Sequence, residues 1–207
     1  MLPLRDRLPS VRFPFVTYGL IVANVVAFLN ERIALATTSD PLRWIYTWAL
    51  VPRQLLAHPQ REYVTVVTSM FLHDPSGWAH LLGNMLYLWI FGDNVEDALG
   101  HRRFLAFYLL SGIGAAALQV GAQPASMIPM LGASGAISGV LAAYVVLYPL
   151  SPITVLNPIF LLWFFFGIFL ELPAWLIVGE YFVVNVWSAL TESSAAGGVA
   201  FLAHVGG

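Results

Sequence analysis

Gly132-Ala133-Ser134-Gly135-Ala136-Ile137-Ser138-Gly139 opens an apolar segment that runs to Tyr148 and stops at Pro149. The segment carries no charge, and a helix without a polar face is buried in protein or in lipid. At 1.5 Å per residue, residues 133–148 extend about 24 Å, less than the hydrocarbon core of a bilayer at about 30 Å. With its C-terminal end at one membrane face, the helix starts below the other face, and Ser134 is submerged there. Composition supports lipid as the solvent. Of 207 residues, 59% are hydrophobic and 10% charged, whereas a soluble domain is about half apolar and about a quarter charged. The formal net charge of −2 gives no reason to expect a nucleic-acid partner. Without cysteine there is no disulfide, thiolate nucleophile or cysteine-ligated metal, and the redox compartment cannot be inferred.

Working outward from Ser134, the chain reads as one all-α membrane domain with six transmembrane segments: 15–36, 78–99, 104–120, 133–148, 172–190 and a sixth from about 198. Residues 1–14 precede the first span, which reads as a retained anchor rather than a cleaved signal. Residues 37–77 form a large outer loop, in which Trp44, Tyr46 and Trp48 suit a membrane interface. Residues 151–170 are apolar enough to cross but read as an extended or interfacial connection. Glu171-Leu172-Pro173 has the acid and proline of a helix start, and a further crossing would put the last helix on the wrong side. Arg5, Arg7, Arg12, Arg102 and Arg103 share one side, the cytoplasmic one by the positive-inside rule. From residue 198 only about ten residues remain, too few to cross, so the sixth helix reads as truncated.

Ser134 is then at the outer end of the fourth span, where backbone N–H groups lack intrahelical acceptors and suit a developing oxyanion. Gly135 and Gly139 form a small-residue packing face with it. His204 lies in the sixth span, and an ionisable group there is expensive unless it faces a partner or a cavity. With no carboxylate near it in sequence, the reading is a dyad: His204 takes the Ser134 proton and returns it to the leaving amine. His80 and Asn84, spaced i, i+4, share one face of the second span and can both donate to an oxyanion. Glu96 lies about 120° around that helix from Asn84 and reads as structural, bonding loop donors at the cytoplasmic end. His73, Asp74 and His80 lack a metal-site spacing, and no cofactor is expected.

Together these residues resemble the rhomboid family of intramembrane serine proteases. The likeness rests on His80-Leu81-Leu82-Gly83-Asn84, Phe91-Gly92-Asp93-Asn94-Val95-Glu96, Gly132-Ala133-Ser134-Gly135 with Gly139, and Ala203-His204-Val205-Gly206-Gly207. It implies a six-helix rhomboid-like bundle that cleaves single-pass transmembrane proteins near their outer ends, without a cofactor. Ser134 would be the nucleophile and His204 the base, with His80, Asn84 and the Ser134 N–H as oxyanion hole. Two departures stand out. Val64-Thr65 replace a Trp-Arg pair that many members carry in the first loop. Ser138 replaces an aromatic that in many members stacks on the histidine. The competing readings are a non-catalytic rhomboid-like protein that binds membrane clients, and a small transporter using His80, Asn84, Glu96 and His204 as a polar path. Natural substrate and oligomeric state stay open. The compact chain points to a bacterial plasma membrane, with the N-terminus cytoplasmic.

Overall fold

The computed structural model describes residues 1–157, 163–191 and 201–207. In chain order the helices are α1 (Phe15–Thr37), α2 (Pro41–Trp48), α3 (Pro52–Ala57), α4 (Pro59–Glu62), α5 (Thr65–Thr68), α6 (Ala79–Leu99), α7 (His101–Ala122), α8 (Ser134–Leu147), α9 (Trp163–Phe166), α10 (Ala174–Thr191) and α11 (Phe201–Gly206). Proline opens α2, α3 and α4, where its missing N–H costs nothing. Gly100 alone separates α6 from α7; its φ of +79° is one that only glycine adopts freely. Helices α1 and α7 are long and apolar enough to cross a membrane; α8 and the Ala174–Ser188 part of α10 are apolar but shorter. The expected start of the sixth span, near residue 198, lies outside the described residues.

The all-α expectation needs correction. Strands β1 (Pro3–Asp6), β2 (Pro152–Leu156) and β3 (Phe169–Pro173) form an antiparallel sheet in the order β1-β2-β3. Pro152–Leu156 and Phe169–Pro173, at the two ends of the expected connection, are thus paired antiparallel strands, and the segment before α1 supplies the third strand. Glu171-Leu172-Pro173 does not start a helix: it pairs with Thr154, Ile153 and Pro152. Once those backbone groups are committed to the sheet, α10 can begin only at Ala174. Its first N–H groups then find the carbonyls of Ser151 and Pro149, at 2.9 and 3.1 Å.

Helix α8 lies at the centre, packed by α6, α7, α10 and α11, with residues 135–141 and Tyr144 buried. Phe28, Leu88, Phe91, Phe104 and Tyr108 from the surrounding helices complete the core. The outer surface is apolar too. Val146 is 81% exposed and Leu190 79%, in company with Val22, Leu110 and Trp187. Such a surface suits hydrocarbon rather than water.

At one end of the bundle, Glu96 closes the start of α1. Its carboxylate accepts from the N–H groups of Val16 (2.9 Å) and Thr17 (2.7 Å) and from the Thr17 hydroxyl (2.7 Å). His101 Nδ1 lies 2.5 Å from the same carboxylate oxygen that accepts from Val16. The α1 N-cap, Pro14, offers no side-chain cap of its own, so a remote acid fills that role.

The sheet is at this same end. Ile153 and Val155 point inward, fully buried. Asp6 accepts from the Tyr144 hydroxyl at 2.9 Å and from Asn94 Nδ2 at 2.6 Å, tying β1 to α8 and α6. Burial above all, with the nearby charge of Asp93, raises the Asp6 pKa from 3.8 to about 6. The folded protein therefore holds this proton more tightly than the unfolded chain. The stabilisation is complete below about pH 4 and is lost as pH rises through about 6. Asp6→Asn mimics the protonated acid. Its melting temperature should match the wild type near pH 4 and exceed it increasingly towards pH 7. A difference independent of pH would exclude this account.

Candidate active site

Ser134 is the first residue of α8. The turn before it depends on Gly132, whose φ of +127° falls in the left-handed region. A side chain there would also meet the His80 ring at 3.0 Å. The loop leading to Ser134 is anchored by backbone bonds: Gly132 N–H to Ser69 O at 2.9 Å, and a reciprocal bridge between Leu50 and Met130 at 3.1 and 2.7 Å. Val64 and Thr65 contribute to the outer segment through the start of α5, where the Thr65 hydroxyl bonds Glu62 O at 2.6 Å.

His204, on α11, meets Ser134 across the helix interface, with Nε2 2.7 Å from Ser134 Oγ. Its Nδ1 is hydrogen-bonded to the side-chain oxygen of Asn185 on α10. An amide oxygen only accepts, so Nδ1 carries the ring proton and Nε2 presents a lone pair to the serine hydroxyl. That is the tautomer a general base requires.

His80 has the opposite arrangement. Its Nδ1 accepts from the Asp74 N–H at 3.2 Å, which leaves Nε2 as a donor beside Gly132 and Ser134. Asn84 is buried, and among the described residues its Nδ2 finds no acceptor. Both side chains line, with Ser134 and His204, one cavity of about 800 Å³ walled by Met70 and Tyr87. An unpaired buried donor is costly, and an incoming oxyanion would satisfy it. His73, before α6, is kept neutral by burial, which pushes its pKa down to about 4. Among the described residues no group of three metal-ligating side chains forms.

The small residues set how closely the helices approach. A Cβ on Gly135 would lie 2.6 Å from Ala115 Cβ, and one on Gly139 2.5 Å from Ser111 Cβ, both on α7. A Cβ on Gly207 would overlap the backbone carbonyl of Gly135, and one on Gly206 would sit 3.0 Å from Ala115 Cα. Backbone cannot yield as a side chain does. Gly207→Ala should therefore cost about 1–3 kcal/mol and lift α11 off α8, moving the imidazole from the serine. The checks are a lower melting temperature and at least a tenfold slower reaction of Ser134 with a fluorophosphonate. Unchanged values in both would refute the packing argument.

Sequence reasoning missed Asn185 and Tyr181. Tyr181 takes the neighbourhood left by Ser138: its ring centroid is 6.0 Å from that of His204, and its hydroxyl is 2.9 Å from Ser138 Oγ. The signal is an asparagine in a largely apolar span, where an amide oxygen can orient a histidine as a carboxylate does.

A hydroxyl and an imidazole meeting between apolar helices define a class of helical membrane proteins with a buried serine–histidine pair. Residues 60–207 match the family model of the rhomboid domain, and the chain belongs to the rhomboid family. It is 36% identical over 110 residues to "Rhomboid protein 1, mitochondrial" of Saccharomyces cerevisiae, covering 49% of this chain and 31% of that protein. It is 34% identical over 87 residues to "Rhomboid-like protein 11, chloroplastic" of Arabidopsis thaliana, covering 42% and 30%. It is 31% identical over 185 residues to "Presenilin-associated rhomboid-like protein, mitochondrial" of Homo sapiens, covering 88% and 45%. The chain thus spans less than half the length of each. These three are named for mitochondria or chloroplasts and lend no support to a bacterial plasma membrane.

Proposed function

We propose that this protein is an intramembrane serine endopeptidase that cleaves single-pass transmembrane proteins near the membrane face at which α8 begins, within a six-helix membrane domain. The observation that carries the reading is the 2.7 Å approach of His204 Nε2 to Ser134 Oγ, with the ring proton on the far nitrogen. Ser134 Oγ attacks the scissile carbonyl while its proton passes to His204 Nε2. Negative charge gathers on the carbonyl oxygen, where the Ser134 N–H, His80 Nε2–H and Asn84 Nδ2 can bond it. Collapse breaks the C–N bond, and His204 returns the proton to the departing amine. Water then attacks the acyl-enzyme with His204 again as base, releasing the acid and restoring the serine. Glu96, Gly135 and Gly139 serve the scaffold. Helix α10, the fifth long helix, is the side from which the substrate helix enters.

A fluorophosphonate probe tests this reading without a known substrate. The purified protein should be labelled covalently at Ser134, and Ser134→Ala should not react. A folded wild type that stays unlabelled would favour the non-catalytic, client-binding reading.

A further inference from the structure

We infer that Asn185 is a positioning residue for His204, so that the placement of α10 decides whether the imidazole acts as a base. The inference rests on the hydrolase reading above. Asn185 is only 6% exposed within an apolar helix, where an amide is costly unless its bonds are made. They are made in a defined order. Nδ2 donates to Tyr181 O, one turn earlier, at 2.8 Å. That bond fixes which end of the amide faces outward. The oxygen is left for His204 Nδ1.

The consequence falls on the other ring nitrogen. A neutral imidazole with no acceptor at Nδ1 distributes its proton between both nitrogens, and only one of those tautomers can deprotonate Ser134. Holding the proton on Nδ1 keeps Nε2 basic and fixes the ring plane towards Oγ. It also places a dipole against the positive charge that the ring acquires in the transition state.

Tyr181 braces the other half of the pair. It lies on the same face of α10 as Asn185, one turn away. Ser138 donates to Ser134 O at 2.9 Å and therefore accepts from the Tyr181 hydroxyl. One helix thus grips the imidazole through Asn185 and the first turn of α8 through Tyr181. Displacing α10 outward breaks both grips together.

The test compares Asn185→Leu, which removes the acceptor at similar volume, with Asn185→Asp, which keeps an oxygen in place. Asn185→Leu should slow fluorophosphonate labelling and lower kcat by about 10- to 100-fold, the range seen when the partner orienting a functional imidazole is lost. KM for a single-pass substrate and the melting temperature should change little. Asn185→Asp should restore labelling to within about threefold of wild type, as an oriented acceptor again fixes the tautomer. Nitrogen NMR of the His204 ring supplies a readout that needs no variant: the wild type should carry its proton on Nδ1. Labelling of Asn185→Leu at the wild-type rate, equal slowness of Asn185→Asp, or a wild-type ring protonated on Nε2 would each overturn the inference. Failure of the wild type to react with the probe at all would instead count against the hydrolase reading.

Discussion

Ser134→Ala is expected to cut turnover of a single-pass substrate by about 10⁴-fold or more, and His204→Ala by a similar factor. The two side chains act as one unit: the hydroxyl is a weak nucleophile without the base, and the base has nothing to activate without the hydroxyl. The double variant should therefore be no slower than either single one, within about threefold, whereas independent contributions would multiply. Folding should be nearly untouched by Ser134→Ala, since the side chain is small and the helix start is held by Gly132 and its bond to Ser69. Cleavage that survives in folded Ser134→Ala would remove this serine from the reaction. Losses that multiply in the double variant would show that the 2.7 Å contact is packing and not chemistry.

The largest expected effect on stability comes from Glu96→Ala. The carboxylate serves two backbone N–H groups and a hydroxyl at the start of α1, and it is 1% exposed. Removing it strands those donors where water is scarce, at about 1–3 kcal/mol each for the backbone groups. A total of about 3–5 kcal/mol corresponds to a fall in melting temperature of about 10 °C for a chain of this size. Glu96→Gln keeps one accepting oxygen but turns an N–H₂ towards other donors, so it should recover less than half of the loss. His101→Ala should cost much less, because the His101 side chain is 40% exposed and its pairing is screened by solvent. Full rescue by Glu96→Gln would mean that shape, and not hydrogen bonding, is what position 96 supplies.

Much of the helical layout was legible because hydropathy over about 20 residues is a strong signal. Helices α1, α6, α7, α8 and α10 overlap the first five expected segments. The sheet was not legible. β1 has four residues and pairs with a strand about 150 positions further on, so no local pattern announces it. The misplaced start of α10 has the same cause: Glu171 and Pro173 carry helix-start chemistry, but partners outside the local sequence hold their backbone in a strand. At the site, His80, Asn84, Ser134 and His204 stood out because polar groups are costly in apolar helices. The same argument applies to Asn185, an amide buried in α10. The tautomers of His80 and His204 follow from Asp74 N–H and Asn185 Oδ1, partners that only folding brings into contact.

The pairing of β1 with β2 has a bearing on how the molecule is made. Asp6 and Ile153 stand opposite each other although about 150 positions separate them in sequence, a closure that is slow to form. During synthesis the first strand has no strand partner until four of the long helices have left the ribosome. Sheet assembly is therefore a late event, and a chain interrupted before residue 152 leaves an unpaired edge open to other strands.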